Sequence, residues 1–273
     1  MGPRSAMRPP SARSEAGSGG RAVIGLTRDL KHRYRWMDGP LVPGVTTVQG
    51  MKDKSGPLVG WAKREVAACA VRNIDMLHQM VQTGGADAAL TWLKGLPDYQ
   101  RDNSADVGTR VHAALEAIAL GVEPVLDDEV APFVASWRRD FLDAFRPEFR
   151  AVEFMVYSER YQYGGTGDVV AVIGGDLWML DYKSGTGIYP DTGLQLAALR
   201  WADWVGLPGD PKKYAVPQAT RFGVVHVRPE ATVFREYRVT SEEFDAFLAC
   251  RRLYRWVNEV SPRVMGETLR EAA

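Results

Sequence analysis

The most constraining feature of this sequence is a run of three consecutive predicted strands in the middle of the chain. Residues 151–158, 167–173 and 177–183 carry the short apolar pattern of strands. The Gly-Gly-Asp sequence at residues 174–176 is typical of a tight hairpin between the last two. Residues 177–180 (Leu-Trp-Met-Leu) are apolar on both faces of their strand. Such a strand must be covered on both sides, so the chain has to place a sheet between other layers.

Helical periodicity before and after this run supplies the covering layers. Helices are predicted over residues 55–78, 87–93, 104–120, 132–145 and 192–205. Further strands are predicted over residues 22–26, 43–48, 221–227 and 232–239. Thr240 and Glu243 form a capping box that opens a last helix, which is predicted to run to about Val257.

Together these elements predict an α/β fold with a mixed central β-sheet flanked by helices and an N-terminal helical region. We expect one domain over residues 21–273, helical over about 21–150 and with its sheet core over about 151–260. Residues 1–20 are rich in Ser, Gly, Pro and Arg and lack apolar periodicity. That composition predicts a disordered tail.

Composition excludes several classes of protein. The 273 residues hold 34 basic and 34 acidic side chains, so bulk charge alone does not make the chain a nucleic-acid binder. Its two cysteines, Cys69 and Cys250, cannot supply a disulfide framework or a four-cysteine iron–sulfur cluster. No apolar run approaches the ~20 residues that span a membrane. We therefore expect a cytoplasmic protein in a reducing compartment, with no membrane partner and no iron–sulfur cluster.

The balanced total hides an uneven distribution of charge. Residues 1–72 are strongly basic and residues 73–199 strongly acidic. A basic flank beside an acidic centre suits an enzyme that gathers metal ions and grips a polyanion. Scattered solvated charge is the alternative that composition alone favours.

The strongest chemical signal is a set of charged residues on two adjacent predicted strands. A turn at residues 174–175 places Asp168 directly opposite Asp181, whereas a turn at 175–176 places it opposite Lys183. In either register the three side chains share one face. Facing carboxylates about 5 Å apart destabilise a sheet unless a cation lies between them, and hard oxygen ligands select Mg²⁺ or Mn²⁺. Lys183 can hold a water or stabilise charge on a phosphate.

The alternative for this set is two surface aspartates beside a solvated lysine. The apolar run immediately before Asp181 argues against it. The helix over residues 104–120 adds His112 and Glu116, which share a helix face at a spacing of four. Glu153 lies on the first central strand, and Gln195 lies on the following helix, facing the strand ends.

Four motifs in this order resemble one enzyme superfamily. They are residues 108–116 (GTRVHAALE), 165–168 (GTGD), 181–185 (DYKSG) and 195–198 (QLAA). Together they resemble the RecB-like branch of the PD-(D/E)XK nuclease superfamily. Residues 41–48, followed by residues 58–61, are also similar to the front part of mitochondrial genome maintenance exonucleases and related phage-encoded proteins.

The resemblance implies a restriction-endonuclease-like core and a DNA exonuclease that uses one or two Mg²⁺ or Mn²⁺ ions. Such an enzyme acts on DNA with a free end in recombination, repair or phage replication, with a recombination or replication protein as a partner. The resemblance makes metal ligands of His112, Asp168, Asp181 and the backbone carbonyl of Tyr182. It also makes Lys183 the catalytic lysine.

Other site residues follow from the same resemblance. Glu153 matches an acidic position that supports a metal or its water, and Glu116 supports the ligands from beside His112. Gln195 begins a Gln-x-x-x-Tyr helix motif that touches DNA or the active site, but its fifth position here is Leu199.

Four further residues are candidate DNA contacts: Trp61, Lys63, Arg64 and Arg110. Taken singly, each of the three charged side chains is more typical of a solvated surface. Trp61, at its helical spacing, is more typical of a core position. Two other functions stay open at this point. One is a structure-selective endonuclease of the same fold, and the other is a catalytically silent nucleic-acid-binding module.

Overall fold

The computed structural model describes residues 24–268, and the tail predicted over residues 1–20 lies outside them. The strands are β1 Leu26–Arg28, β2 Tyr34–Trp36, β3 Glu148–Ser158, β4 Tyr163–Ile173, β5 Asp176–Lys183, β6 Trp204–Gly206, β7 Lys213–Tyr214, β8 Arg221–Val227 and β9 Thr232–Tyr237. The helices are α1 Val45–Gln49, α2 Ser55–Arg72, α3 Ile74–Ala119, α4 Ala131–Trp137, α5 Asp143–Phe145, α6 Asp191–Arg200 and α7 Ser241–Arg255. A π-helical turn, Arg138–Leu142, joins α4 to α5.

The chain divides into two compact units. Among the described residues, one unit consists of residues 24–51 and 112–268 and contains the sheet, and the other consists of residues 52–111 and is helical. Residues 112–119, the last turns of α3, belong to the sheet unit. Within residues 24–268, no helix is both long and apolar enough to cross a membrane.

The sheet unit confirms the predicted α/β architecture. Seven strands form a mixed sheet in the order β7-β6-β3-β4-β5-β8-β9, in which β5 pairs antiparallel with β4 and parallel with β8. The apolar strand β5 is therefore central. Met179 packs in a core with residues of α1, α6 and α7, while Trp178 and Tyr182 contact aromatic rings of β9 and α4. Both faces are covered, as the apolar run requires.

Several local predictions are wrong. The strand predicted over residues 22–26 lies partly outside the described residues, and β1 begins only at Leu26. The helices predicted over residues 87–93 and 104–120 are parts of one element, α3.

Residues 43–48, predicted as a strand, contain the start of α1, because Val45 and Val48 lie one helical turn apart and both are buried in the core. The helix predicted over 192–205 ends at Arg200, because the chain then returns to the sheet and β6 pairs with β3. Long-range pairing overrides the helical pattern there.

The predicted capping box is confirmed at the start of α7. The Thr240 hydroxyl accepts a hydrogen bond from the first turn, and the Glu243 carboxylate accepts one from the backbone N–H of Thr240 at 2.6 Å. Phe244 and Phe247 then lie in the core beside α6. The cap therefore sets where α7 begins and which of its faces is buried.

A close approach at Gly164 attaches the β1–β2 hairpin to the sheet. A Cβ built at Gly164 would lie 2.3 Å from Cγ of the buried Tyr34 ring. We expect Gly164→Ala to lower the free energy of unfolding by about 1–3 kcal/mol, because the ring has to move. Chemical denaturation measures the change. Gly185→Ala is the control, since nothing lies within 4 Å of its Cβ, and equal stabilities of the two variants would contradict the prediction.

Candidate functional site

The site is built where β4 and β5 separate. Their pairing runs from Ile173 opposite Asp176 to Val169 opposite Leu180, which decides between the two possible turns in favour of residues 174–175. The next facing pair along this register is Asp168 and Asp181. The Asp168 carboxylate accepts a hydrogen bond from the backbone N–H of Tyr182 at 2.6 Å. The Asp168 side chain thus accepts the backbone hydrogen bond that a continued pairing of β4 and β5 would have used.

Asp181 is the most unusual group in the site. Its side chain is 2% exposed, and its Oδ1 accepts no hydrogen bond from the described residues. The Lys183 ammonium lies 2.5 Å from Oδ2. Burial raises the pKa of Asp181, the Lys183 charge opposes that rise, and the Asp168 charge adds to it. A buried carboxylate is costly unless a cation lies beside it, and Lys183 supplies that charge at Oδ2.

Lys183 is held in its charged form between acidic partners. Burial alone would lower the pKa of Lys183, but the carboxylates of Asp181 and Asp168 outweigh it and raise that pKa above its ordinary value. Its ammonium also donates to Gln195 Oε1 of α6 at 3.4 Å. The structure therefore brings Gln195 to the strand ends, where the sequence predicts it.

The fifth position of the motif that begins at Gln195 has a packing role. Leu199 is buried in the core. A Cβ built at Gly165 of β4 would lie 3.0 Å from the Leu199 side chain. The leucine thus fills space against the strand that carries Asp168.

The last turns of α3 bring two more titratable groups to the site. His112 Nδ1 lies 3.9 Å from Asp168 Oδ2, and its ring meets the Tyr182 ring edge-on at 6.3 Å. Glu116, one turn later, is partly buried. Burial raises the pKa of Glu116, and the charge of Asp168 raises it further, against the opposing charges of Arg28 and His112.

Glu153 lies across from Asp168 on the other neighbouring strand. Its neighbours pair as Val152 with Val169 and Phe154 with Gly167, so the register places Glu153 opposite Asp168. Its backbone is left-handed, with φ 48°. Burial raises the pKa of Glu153 to about 8, and the charges of Asp168 and Glu116 contribute to the rise.

The raised pKa of Glu153 predicts a pH-dependent stability of the metal-free protein. The pKa of the carboxyl is higher in the folded chain than its ordinary value of 4.5. The contribution of the neutral Glu153 carboxyl to the free energy of unfolding is therefore complete below about pH 4.5 and is lost as the pH rises towards 8. We expect Glu153→Gln to stabilise the protein in EDTA by on the order of 2 kcal/mol at pH 7 and by much less at pH 5.

Thermal melts at several pH values measure this effect. Glu148→Gln is the matched control, because Glu148 lies on the same strand but is exposed and paired with Arg150 at 2.7 Å. Parallel pH profiles for Glu153→Gln and the unmodified protein would show that Glu153 titrates normally.

No group of three or more His, Cys, Asp or Glu side chains within residues 24–268 is already arranged as a metal site. The donor chemistry nevertheless fits a hard divalent cation. The carboxylates of Asp168 and Asp181 interact electrostatically, His112 lies beside the first, and Oδ1 of the second has no hydrogen-bond donor among the described residues. Carboxylate oxygens with one imidazole suit Mg²⁺ or Mn²⁺.

The predicted DNA contacts lie in the helical unit, which is described by itself. On α2, Trp61 is partly buried, and Lys63 and Arg64 are exposed. On α3, Arg110 donates to Asp106 at 2.9 Å. The structure groups these four residues in one unit and the acidic residues in the other.

Sequence reasoning missed Arg28, which lies close enough to Glu116 and Glu153 to lower the pKa of each. It also missed Tyr34 and Thr166, whose hydroxyl oxygens lie 2.8 Å apart. Arg28 ends a three-residue strand and carries no motif. Thr166 lies inside the Gly-Thr-Gly-Asp sequence and is the one signal that could have drawn attention to this contact.

Comparisons with known proteins add little. No protein-family model matches the chain, and no curated protein matches it. A solved structure described as "Crystal structure of SSO0001" is similar at 12% sequence identity and a TM-score of 0.35. The similarity covers 67% of this chain and 71% of that chain. Similarity at this level supports no conclusion about function.

Proposed function

We propose that this protein is a metal-dependent nuclease that hydrolyses phosphodiester bonds of DNA. The observation that carries the proposal is the buried Asp181 carboxylate. Its Oδ2 pairs with a charged lysine, its Oδ1 has no hydrogen-bond donor among the described residues, and a second carboxylate lies beside it. Burying these charges lowers the stability of the fold, and such groups are typical of catalytic sites. A reaction at a phosphate would use them. The motif resemblance supports the same class of enzyme.

Mg²⁺ or Mn²⁺ would be held by Asp168, Asp181, His112 and the backbone carbonyl of Tyr182, with Glu153 beside them. When bound, such an ion supplies Lewis-acid polarisation of a phosphate and activation of a water. The proposal allows for one or two such ions. The partly buried carboxyls around Asp168 can each give up a proton when a cation binds.

Residues of this chain perform the other parts of the proposed reaction. Lys183 donates hydrogen bonds to the attacking water or to a phosphate oxygen and stabilises the negative charge that develops there. Asp181 keeps that ammonium charged, and Gln195 orients it. Glu116 lies beside His112 on the same helix and adds negative charge near the ligands.

The substrate and setting complete the proposal. We propose DNA with a free end, cut by an exonuclease of recombination, repair or phage replication that works in the cytoplasm with a recombination or replication protein. Trp61, Lys63, Arg64 and Arg110 would contact the strand from the helical unit. Lys63, Arg64 and Arg110 would attract the DNA phosphates by their positive charge.

One assay tests this proposal. End-labelled single- and double-stranded DNA, and covalently closed circular DNA, are incubated with the protein in Mg²⁺, Mn²⁺ or EDTA. We expect cleavage of the linear DNA in the presence of metal and none in EDTA. Cleavage of closed circles would indicate an endonuclease of the same fold. DNA binding without cleavage in either metal would indicate a catalytically silent binding module and would refute the nuclease proposal.

A further inference from the structure

The β1–β2 hairpin brings a guanidinium to the edge of the acidic site. Arg28 of β1 pairs with Tyr34 of β2. The buried Tyr34 places its hydroxyl 2.8 Å from Thr166 Oγ1, and Arg28 Nη1 donates to the same oxygen at 3.3 Å. Thr166 precedes Asp168 by two residues on β4. The hairpin is therefore fixed to the strand that carries a candidate metal ligand.

Arg28 lies near carboxylates but is not tied to one. Its charge acts on both Glu116 and Glu153. Among the described residues, Thr166 is its hydrogen-bond partner, and no carboxylate lies within ion-pair distance. The side chain is exposed. A guanidinium carries five N–H donors, so most of the donors of Arg28 remain available to an external oxyanion.

A phosphate is the oxyanion that such a group binds best. The planar fork of donors matches two phosphate oxygens, and arginine stays charged at any working pH. Lys183 is paired with Asp181 and Gln195 inside the site. Arg28 lies at an exposed position near Glu116 and Glu153, where a polyanion has to overcome the repulsion of these carboxylates.

We propose that Arg28 binds a backbone phosphate next to the bond that is cleaved and thereby sets the position of the strand over the carboxylates. This inference rests on the proposed nuclease function. It makes Arg28 a substrate-binding residue that is supplied by the hairpin and not by the central sheet.

The test measures DNA binding in a variant that does not cleave. Asp181→Asn serves as the background, and fluorescence anisotropy follows a labelled oligonucleotide, single- or double-stranded, in Mg²⁺ at several salt concentrations. We expect Arg28→Gln to weaken binding about tenfold and to reduce the slope of log Kd against log salt by about one. Arg28→Lys keeps the charge and should keep the slope while recovering part of the affinity.

Arg33→Gln is the matched control. It removes the same charge from the same hairpin, where Arg33 pairs with Asp29 at 2.7 Å. We expect its affinity to stay within about twofold of the background, since its charge is already compensated. Thermal melts of both variants check that the hairpin stays folded, and Arg28→Lys decides the outcome if Arg28→Gln does not fold.

Four outcomes overturn the inference. The first is equal affinity and equal salt slope in Arg28→Gln and Arg33→Gln. The second is that Arg28→Gln changes the metal-induced stabilisation of the otherwise unmodified protein but does not change DNA binding, because Arg28 would then act on Glu116 and Glu153 alone. The third is an unmodified protein that neither binds nor cleaves DNA, which refutes the nuclease proposal as well. Cleavage by the unmodified protein with an unchanged KM in Arg28→Gln refutes this inference alone.

Discussion

Asp181→Asn is expected to lower kcat/KM for DNA by roughly a thousandfold and to leave the metal-free protein at least as stable as before. The activity falls because the amide no longer offers the anionic oxygens that a divalent ion needs. The stability is kept because the substitution removes a charge that burial penalises. The Lys183 ammonium that loses its partner is one third exposed and can turn towards solvent. End-labelled DNA and thermal melts in EDTA measure the two quantities.

Asp176→Asn is the matched control for this prediction. It makes the same chemical change at the opposite end of β5, where the carboxylate is half exposed and pairs with Arg221 at 3.0 Å. We expect its activity to stay within about twofold of the unmodified protein, since surface ion pairs contribute little. Near-normal turnover in Asp181→Asn would remove Asp181 from the active site.

Lys183→Ala is the companion variant, and its stability should differ from that of Asp181→Asn. It should also abolish cleavage, but it leaves the Asp181 carboxylate buried without its ammonium partner. Breaking a buried pair in this way costs on the order of 2–4 kcal/mol at neutral pH. Lys183→Ala should therefore melt below Asp181→Asn, although both are inactive. The reverse order of melting would show that Asp181 does not carry a buried charge.

The parts of the fold that could be predicted are those in which local pattern and tertiary environment agree. Strand β8 has the predicted bounds Arg221–Val227, and the cap at Thr240 opens α7 where its spacing to Glu243 indicates. Each depends on residues close in sequence, whose backbone preference and burial act in the same direction. The turn at residues 174–175 belongs to the same group, because both glycines have positive φ.

The errors occur where a distant partner decides the structure. Val45 and Val48 are β-branched and suit a strand, but both are buried when the segment is a helix against α6 and α7. Trp204 would continue a helix, but it pairs with Tyr157 of β3 and stacks on its ring at 5.1 Å. Neither partner can be inferred from the segment itself.

The candidate site divides in the same way. The spacing of Asp181 and Lys183 along one strand predicts their closeness, and the hairpin register extends that prediction to Asp168. The left-handed backbone of Glu153 and the placement of Arg28 have no local signal, because both depend on how β3 and the β1–β2 hairpin pack on β4. The acidic centre of the site could thus be predicted from the sequence, while the position of the Arg28 guanidinium at its edge could not.

A divalent metal should raise the melting temperature, and Asp168→Asn should remove most of that rise. A ligand that binds only the folded protein stabilises it by about 2.7 kcal/mol at a hundred times its Kd, which corresponds to roughly 5–10 °C here. Mg²⁺ or Mn²⁺ would also relieve the repulsion between Asp168 and Asp181. Scanning calorimetry with added metal against EDTA measures the shift.

The asparagine preserves the structural role of this side chain while it removes the charge. Its amide oxygen can still accept the hydrogen bond from the backbone N–H of Tyr182. The metal-free Asp168→Asn protein should therefore melt no lower than the unmodified protein, since one source of repulsion is gone. Asp176→Asn should keep the full metal response. A response of Asp168→Asn equal to that of the unmodified protein would mean that the ion binds elsewhere, and the proposed metal ligands would have to be abandoned.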